Sequence, residues 1–167
     1  MKKILNPVMA ALALAAIASL ALAHGDHPTS GSSAVTVPVQ RAWGVAGDAK
    51  AVSRTVTLVM DDKMRFTPDK LLFKQGETVR FVIRNQGKLL HEMVIGTKKE
   101  LDEHAAMMLK SPAMQHAEPS MVHVAAGKTG GMVWTFNRAG DFDFACLIAG
   151  HYQAGMVGKI SVTAASS

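Results

Sequence analysis

The 167-residue chain contains a single cysteine, Cys146, so no disulfide can form within one chain. Without a second cysteine, Cys-x-x-Cys redox pairs and cysteine-rich zinc sites are also excluded. The formal net charge is only +5 and the charged residues are interspersed, which argues against a nucleic-acid-binding protein. Cys146 is therefore expected to be buried, reactive or bound to a metal.

Two well-known motifs are incomplete. His91-Glu92 begins like the zinc-protease motif, but Ile95 stands where the second histidine is required. The tripeptide 127–129, Gly-Lys-Thr, is similar to the end of a phosphate-binding loop, but Val122 replaces the necessary glycine. Zinc proteolysis and nucleotide binding of these kinds are therefore not predicted.

Residues 1–23 have the layout of a secretory signal peptide. Two lysines precede an apolar run rich in alanine and leucine, and small residues end at Ala23. The alternative is an uncleaved membrane anchor, which is disfavoured because Asn6 and Pro7 interrupt the start of the run. Cleavage after Ala23 removes the two lysines, lowers the net charge from +5 to +3 and leaves a chain of one domain.

The rest of the chain has the pattern of short β-strands. Residues 24–50 are rich in small and polar side chains and predict a flexible N-terminal arm, in which 35–39 could pair as an edge strand. From residue 51 the apolar residues alternate and glycines mark turns. Strands are predicted at 51–60, on both sides of a Gln75-Gly76 turn, at 91–96, on both sides of a Gly140-Asp141 turn, and at 156–164. This favours an all-β sandwich or barrel of antiparallel strands.

One segment has helical spacing instead. Within residues 98–110 an apolar stripe recurs at the helical period, and Ser111-Pro112 ends it. The stripe is formed by Leu101, Ala105, Met108 and Leu109. A short helical insertion is therefore predicted in the β-domain.

Cys146, His151 and Met156 occur at Cys-x4-His-x4-Met spacing. An extended chain would separate neighbours by about 17 Å, so both intervening segments must loop back for the side chains to meet. Gly150 and Gly155 provide that freedom. A thiolate, an imidazole and a weak thioether donor suit a soft or borderline metal. A Cys146–His151 nucleophile pair is an alternative, but no orienting partner or oxyanion hole is identifiable.

These segments resemble the cupredoxins, the small type 1 blue-copper proteins. The stretch 140–162, "GDFDFACLIAGHYQAGMVGKISV", is similar to the family's C-terminal ligand loop, and 64–96 is similar to its first half. The resemblance covers about 51–164 and implies a Greek-key β-sandwich or barrel. It also implies a fourth ligand at His91, giving one type 1 copper site of His91, Cys146, His151 and Met156.

The resemblance carries three further expectations. His151, together with Leu147, Ile148, Ala149 and Tyr152, would form an apolar surface where a redox partner docks. The family often has asparagine after the first histidine, whereas this chain has Glu92, a residue expected to point to solvent at the end of a strand. The alternative is a carboxylate near the thiolate that shifts the colour and the reduction potential of the site. Multicopper oxidases need His-x-His pairs, which the chain lacks, so no enzymatic turnover is expected.

Residues 98–123 form a Met/His-rich helical insertion with additional soft donors, which suit copper(I). Ordinary core and loop roles are the alternative for each residue. Cleavage after Ala23 would also place the imidazole of His24 at the N-terminus, with that of His27 nearby. The residues that could bind additional copper are His24, His27, His104, Met107, Met114, His116, Met121 and His123.

The sequence thus predicts a signal peptide (1–23), an arm (24–50), a cupredoxin domain (51–164) and a short tail (165–167). By resemblance to exported copper-tolerance cupredoxins, we expect a monomeric periplasmic protein without membrane insertion that holds copper in a one-electron site. Two alternatives stay open: a dedicated electron shuttle for a respiratory or oxidative enzyme, and a copper chaperone that uses the Met/His segment.

Overall fold

The structure is a computed structural model that describes residues 38–112, 114 and 117–165. Ten strands and one helix are present in this part of the chain, together with a single 3-10 turn. The strands are β1 Val45–Ala46, β2 Arg54–Asp61, β3 Arg65–Thr67, β4 Lys70–Lys74, β5 Thr78–Asn85, β6 His91–Gly96, β7 Met121–Val124, β8 Thr129–Thr135, β9 Gly140–Ala145 and β10 Val157–Thr163, and helix α1 is Lys98–Lys110.

The strands form two five-stranded sheets. One has the order β1-β8-β5-β2-β3 and the other has the order β4-β10-β9-β6-β7. Their facing side chains, including Val56, Leu58 and Met60 from β2, make one buried core that also contains Cys146 and Met156. The predicted all-β sandwich with one helix is confirmed. None of the described helices is long and apolar enough to cross a membrane.

The sheets are mixed, which corrects the expectation of purely antiparallel strands. β2 pairs with β5 in parallel, and β4 pairs with β10 in parallel. The Gln75-Gly76 turn is present, but it joins β4 in one sheet to β5 in the other, so the two strands do not pair. Gly140-Asp141 is not a turn, because both residues already pair with β10. Strand pattern predicts strands but not which neighbour each one pairs with.

The predicted flexible arm is wrong for the residues nearest the domain. Trp43 is buried, and its carbonyl accepts a hydrogen bond of 2.9 Å from the Trp134 indole. Strand β1 pairs with β8. The burial of one large aromatic ring outweighs the loop-like composition around it. Residues 24–37, and with them the start of the possible edge strand, lie outside the described residues, and 38–40 form no strand.

Helix α1 begins and ends where the sequence predicts. Thr97 and Glu100 form a reciprocal capping box at its start, and Ser111 caps its end. Leu101, Ala105 and Met108 pack over β6 and β9, while Leu109 is exposed, contrary to its place in the predicted stripe. Because α1 covers the outer face of β6, all six residues of that strand are buried.

The Met/His-rich segment is helical only in its first half. Residues 121–124 form strand β7, which pairs antiparallel with β6, instead of continuing a helical insertion. This strand was not predicted, because four residues containing a histidine carry little periodicity.

Candidate metal centre

The sequence-predicted ligands lie at one end of the sandwich. His91 is the first residue of β6, Cys146 follows β9, and Met156 precedes β10. His151 lies in the loop between β9 and β10. Since β6, β9 and β10 are neighbours in one sheet, their ends bring the two loops together.

Three of the four side chains converge. One ligand atom each from His91, Cys146 and His151 lies within 4.8 Å of the others, and no other group of three histidine, cysteine or acidic side chains does so among the described residues. The Cys146 Sγ is 3.3 Å from the His151 Nδ1, and the two imidazole ring centroids are 4.9 Å apart. His91 and Cys146 are fully buried, while His151 is partly exposed.

Met156 is held beside Cys146 by the backbone. The Cys146 N–H donates to the Met156 carbonyl at 3.0 Å, and the Met156 N–H donates to the His151 carbonyl at 3.1 Å. Gly150 and Gly155 have φ angles of 91° and 88°, a conformation that favours glycine. The two glycines therefore allow the tight loop that the Cys-x4-His-x4-Met spacing requires. The Met156 side chain is fully buried in the same core cluster as Cys146.

The sulfur of Cys146 lies in an environment that disfavours a free thiolate. Burial raises the pKa of Cys146 to about 12, although the Glu92 N–H, 3.4 Å from the Sγ, opposes this. Without a cation the side chain is thus a neutral thiol at neutral pH. A bound metal ion would have to displace its proton.

The two imidazoles are placed differently. The Nε2 of His91 lies 3.1 Å from the Asp62 Oδ1, while the Nδ1 of His91 is buried with no hydrogen-bond partner. The pKa of Asp62 is lowered, chiefly by the Lys88 N–H, so Asp62 is a carboxylate at neutral pH. Burial lowers the pKa of His151, which keeps that ring neutral and able to bind a metal. Sequence reasoning missed Asp62, because it lies 29 residues before His91 in the chain and outside the ligand motifs.

Glu92 is buried, which corrects the expectation that it points to solvent. Only 2% of its surface is exposed. Its Oε1 accepts the Leu147 N–H at 2.8 Å, and its Oε2 lies 2.7 Å from the Nε2 of His123, on β7. A backbone N–H and an imidazole replace the water that the buried carboxylate loses. Glu92 therefore ties the ligand loop to β7.

The ligand loop is also attached to the helix. The Tyr152 hydroxyl donates to the Asp102 Oδ1 at 2.6 Å, and Asp102 in turn pairs with Lys98. Burial, together with this hydrogen bond, raises the pKa of Tyr152 to about 12, so the phenol remains a donor. Helix α1 thus supports the loop as well as covering the sheet.

One of the residues expected to form the docking surface for a redox partner is not exposed. Leu147 is buried beneath α1 and cannot be part of it, whereas Ile148, Ala149 and Tyr152 are partly exposed. Next to His91, Leu89 and Leu90 are 47% and 48% exposed. These two leucines were not predicted to be exposed, because the pattern of alternating apolar residues does not distinguish an exposed leucine from a buried one.

The described residues among those predicted for additional copper lie in different surroundings. His24, His27 and His116 lie outside the described residues. Met107 and Met114 are exposed, and His104 lines a cleft with Met121. His123 is paired with Glu92.

The donor set fits a copper ion. Two imidazole nitrogens and one thiol sulfur converge, one nitrogen is buried without a partner, and a thioether side chain lies in the adjacent core. Copper bound by two histidines and a cysteine, with a weak methionine donor, is the arrangement of blue-copper sites. An ion at this position would also satisfy the otherwise unpartnered His91 Nδ1.

Comparison with known proteins gives consistent matches. Residues 53–163 match the model of the family described as copper binding proteins, plastocyanin/azurin family. A relative from Rubrivivax gelatinosus, the copper-resistant cuproprotein CopI, is 47% identical over 161 residues, covering 96% of this chain and 98% of the relative. The protein of the same name from Pseudomonas aeruginosa is 37% identical, covering 79% and 89%.

Among solved structures, auracyanin B superposes with a TM-score of 0.60 at 21% identity, covering 72% of this chain and 96% of that chain. Such a likeness shows a shared fold. The family match extends over more than half of the sequence and includes all four sequence-predicted ligands. The chain therefore belongs to the plastocyanin/azurin family of copper-binding proteins.

Proposed function

We propose that this protein is an exported copper-resistance cupredoxin that holds one copper ion in a one-electron redox site. The convergence of His91, Cys146 and His151 within 4.8 Å carries the proposal. The 47% identical relative named copper-resistant cuproprotein supports the link to resistance, since the match spans nearly the whole of both chains.

In this proposal His91, Cys146 and His151 bind copper and Met156 is the weak fourth donor. Bound copper supplies a couple between copper(II) and copper(I). The chain contributes a ligand arrangement held by two sheets, a buried pocket that excludes water from the sulfur, and loop hydrogen bonds that resist rearrangement. A fixed geometry suits both oxidation states without large movement.

Electron exchange requires a route to the surface. His151 is the partly exposed ligand, and the exposed Leu89 and Leu90 adjoin the buried His91. We propose that a redox partner protein docks on this surface through a brief encounter. The protein is proposed to be a monomer that turns over no organic substrate and binds no nucleic acid.

Export rests on the predicted signal peptide at 1–23, and the proposed location is the periplasm. Mass spectrometry of the protein from the periplasmic fraction is expected to find a chain that begins at His24. Such a chain would place an α-amino group beside an imidazole, which could chelate copper(II). Recovery of the uncut chain in the membrane fraction would contradict both proposals.

Gene deletion with complementation tests the function most directly. We expect the deleted strain to grow poorly only in excess copper, and wild-type protein to restore growth. Cys146→Ala is expected not to restore it, while Met107→Leu serves as the matched control and restores it.

Other outcomes identify the alternatives. A respiratory defect at ordinary copper would favour a dedicated electron shuttle, for which the exposed leucines provide a contact surface. Full complementation by Cys146→Ala would favour a chaperone that uses the Met/His segment, and would contradict the copper site as the basis of resistance.

A further inference from the structure

Asp62 makes three contacts with the segment that leads into His91. It follows the last residue of β2, and its Oδ2 accepts the Lys88 N–H at 2.8 Å. Its Oδ1 accepts the Leu89 N–H at 3.3 Å and lies 3.1 Å from the His91 Nε2. One carboxylate therefore holds both the backbone of the loop and the ring at its end.

The loop is shaped to receive this carboxylate. A Cβ atom at Gly87 would lie 2.0 Å from the Asp62 Oδ1, so any larger residue would push the carboxylate away. Asn85 holds the loop from the other side, since its Oδ1 accepts the Gly87 N–H at 2.8 Å and its Nδ2 donates to the Leu89 carbonyl at 2.7 Å. The approach of Asp62 to His91 is thus supported by side chains on both sides of the loop.

The Asp62 carboxylate determines which nitrogen of the His91 ring carries the hydrogen. A carboxylate can only accept, so the Nε2 of His91 must be the donor and the Nδ1 must carry the lone pair. That Nδ1 is buried without a partner. In metal sites a carboxylate behind a histidine commonly sets the ring orientation and increases the donor strength of the ligating nitrogen.

We propose that Asp62 is a positioning residue that fixes His91 as the Nε2–H tautomer and directs its Nδ1 to the copper. This inference rests on the assignment of His91 to the copper site proposed above. The carboxylate also places a negative charge behind a ligand, which favours copper(II) over copper(I) and lowers the reduction potential. Because Asp62 is partly exposed, solvent screens part of this charge effect.

The tautomer is measured in metal-free protein. Nitrogen-15 NMR of the His91 ring is expected to show the Nε2–H form in the wild type and in Asp62→Asn, whose amide oxygen can still accept. Asp62→Ala is expected to lose this preference. A wild-type ring in the Nδ1–H form would overturn the inference, and this measurement is independent of whether the protein confers copper resistance.

Copper provides the second measurement. Asp62→Ala is expected to weaken copper(II) binding about 10-fold to 100-fold, as removal of such partners does in other metal sites. Asp62→Asn is expected to raise the reduction potential more than the control Asp61→Asn does. Asp61 is a suitable control because it loses the same charge one residue away, where its Oδ1 accepts only the Lys63 N–H.

Equal effects of Asp62→Asn and Asp61→Asn on the potential would contradict the inference. If Asp62→Ala does not fold, the inference is still tested by the tautomer of the wild-type His91 ring and by the reduction potentials of Asp62→Asn and Asp61→Asn. Loss of copper resistance with an unchanged tautomer would concern the proposed function and not the role of Asp62.

Discussion

The metal centre and the Met/His-rich segment both contain histidine and methionine side chains, but among the described residues only the metal centre brings two histidines and a cysteine together. His91, Cys146 and Met156 are fully buried in a core shared by both sheets. Met107 and Met114, in contrast, are 42% and 43% exposed. The metal centre therefore suits a resident ion, while the exposed thioethers suit at most brief capture. Donor chemistry alone does not make a site; burial and fixed position do.

The largest change is expected from removing the Cys146 sulfur. Without it, the metal centre should bind copper no more tightly than the Met/His-rich segment. Cys146→Ser should abolish the intense visible absorption of the copper-loaded protein. Copper(II) affinity should fall by more than about 100-fold, because the loss of a direct ligand exceeds the loss of a supporting partner. Absorption spectra and competition with a chelator measure both, with Met107→Leu as the control. Retention of the intense band would exclude Cys146 as a ligand.

The next largest effect concerns the support of the metal centre. Glu92→Ala should destabilise the metal-free protein by about 2–3 kcal/mol, because the buried Leu147 N–H loses its acceptor. Urea unfolding measures this. The control Glu118→Ala removes an exposed ion pair with Arg41 and should cost less than about 1 kcal/mol. Equal costs for the two variants would mean that the burial of Glu92 does not matter to the fold.

The pH dependence of copper affinity should also distinguish the metal centre from the Met/His-rich segment. The Cys146 thiol, with its pKa of about 12, must lose a proton on binding copper, so fewer competing protons at higher pH mean tighter binding. Affinity should rise about tenfold per pH unit between about pH 7 and pH 9, because one thiol proton is displaced for each copper ion bound. Chelator competition across this range measures the slope. Thioethers carry no proton, so a flat profile would point to the exposed methionines instead.

A smaller effect is expected at the fourth ligand. Met156→Leu preserves the buried volume and should leave copper bound by three strong donors. The reduction potential should rise, because losing a weak donor destabilises copper(II) more than copper(I). Voltammetry measures the shift, and a lowered potential would contradict the place of Met156 in the site.

The smallest effect should come from the exposed methionines. Replacing Met107 and Met114 together by leucine should change stability by less than about 0.5 kcal/mol, since both side chains are at the surface. The visible spectrum should be unchanged. If the segment captures copper(I), the number of copper(I) ions bound should fall. A changed spectrum would show that the two regions are coupled.

Local pattern predicted much of the fold. Strand β6 and helix α1 begin and end where the sequence places them, because β-branched residues, a capping box and Ser111-Pro112 act over a few residues. The pairing of β4 with β10, the strand β7 and the burial of Trp43 were not predictable in this way. They depend on contacts between residues far apart in the chain, which no local period reports.

The sequence by itself determined the donor chemistry: one cysteine, its spacing to His151 and Met156, and two glycines that let the loop turn. Only the tertiary structure decided what surrounds those donors. It placed Asp62 behind His91, buried Glu92 between Leu147 and His123, and put Leu147 under the helix. The physical reason is that spacing along a loop limits which ligands can meet, whereas burial and hydrogen bonding depend on how two sheets and a helix pack.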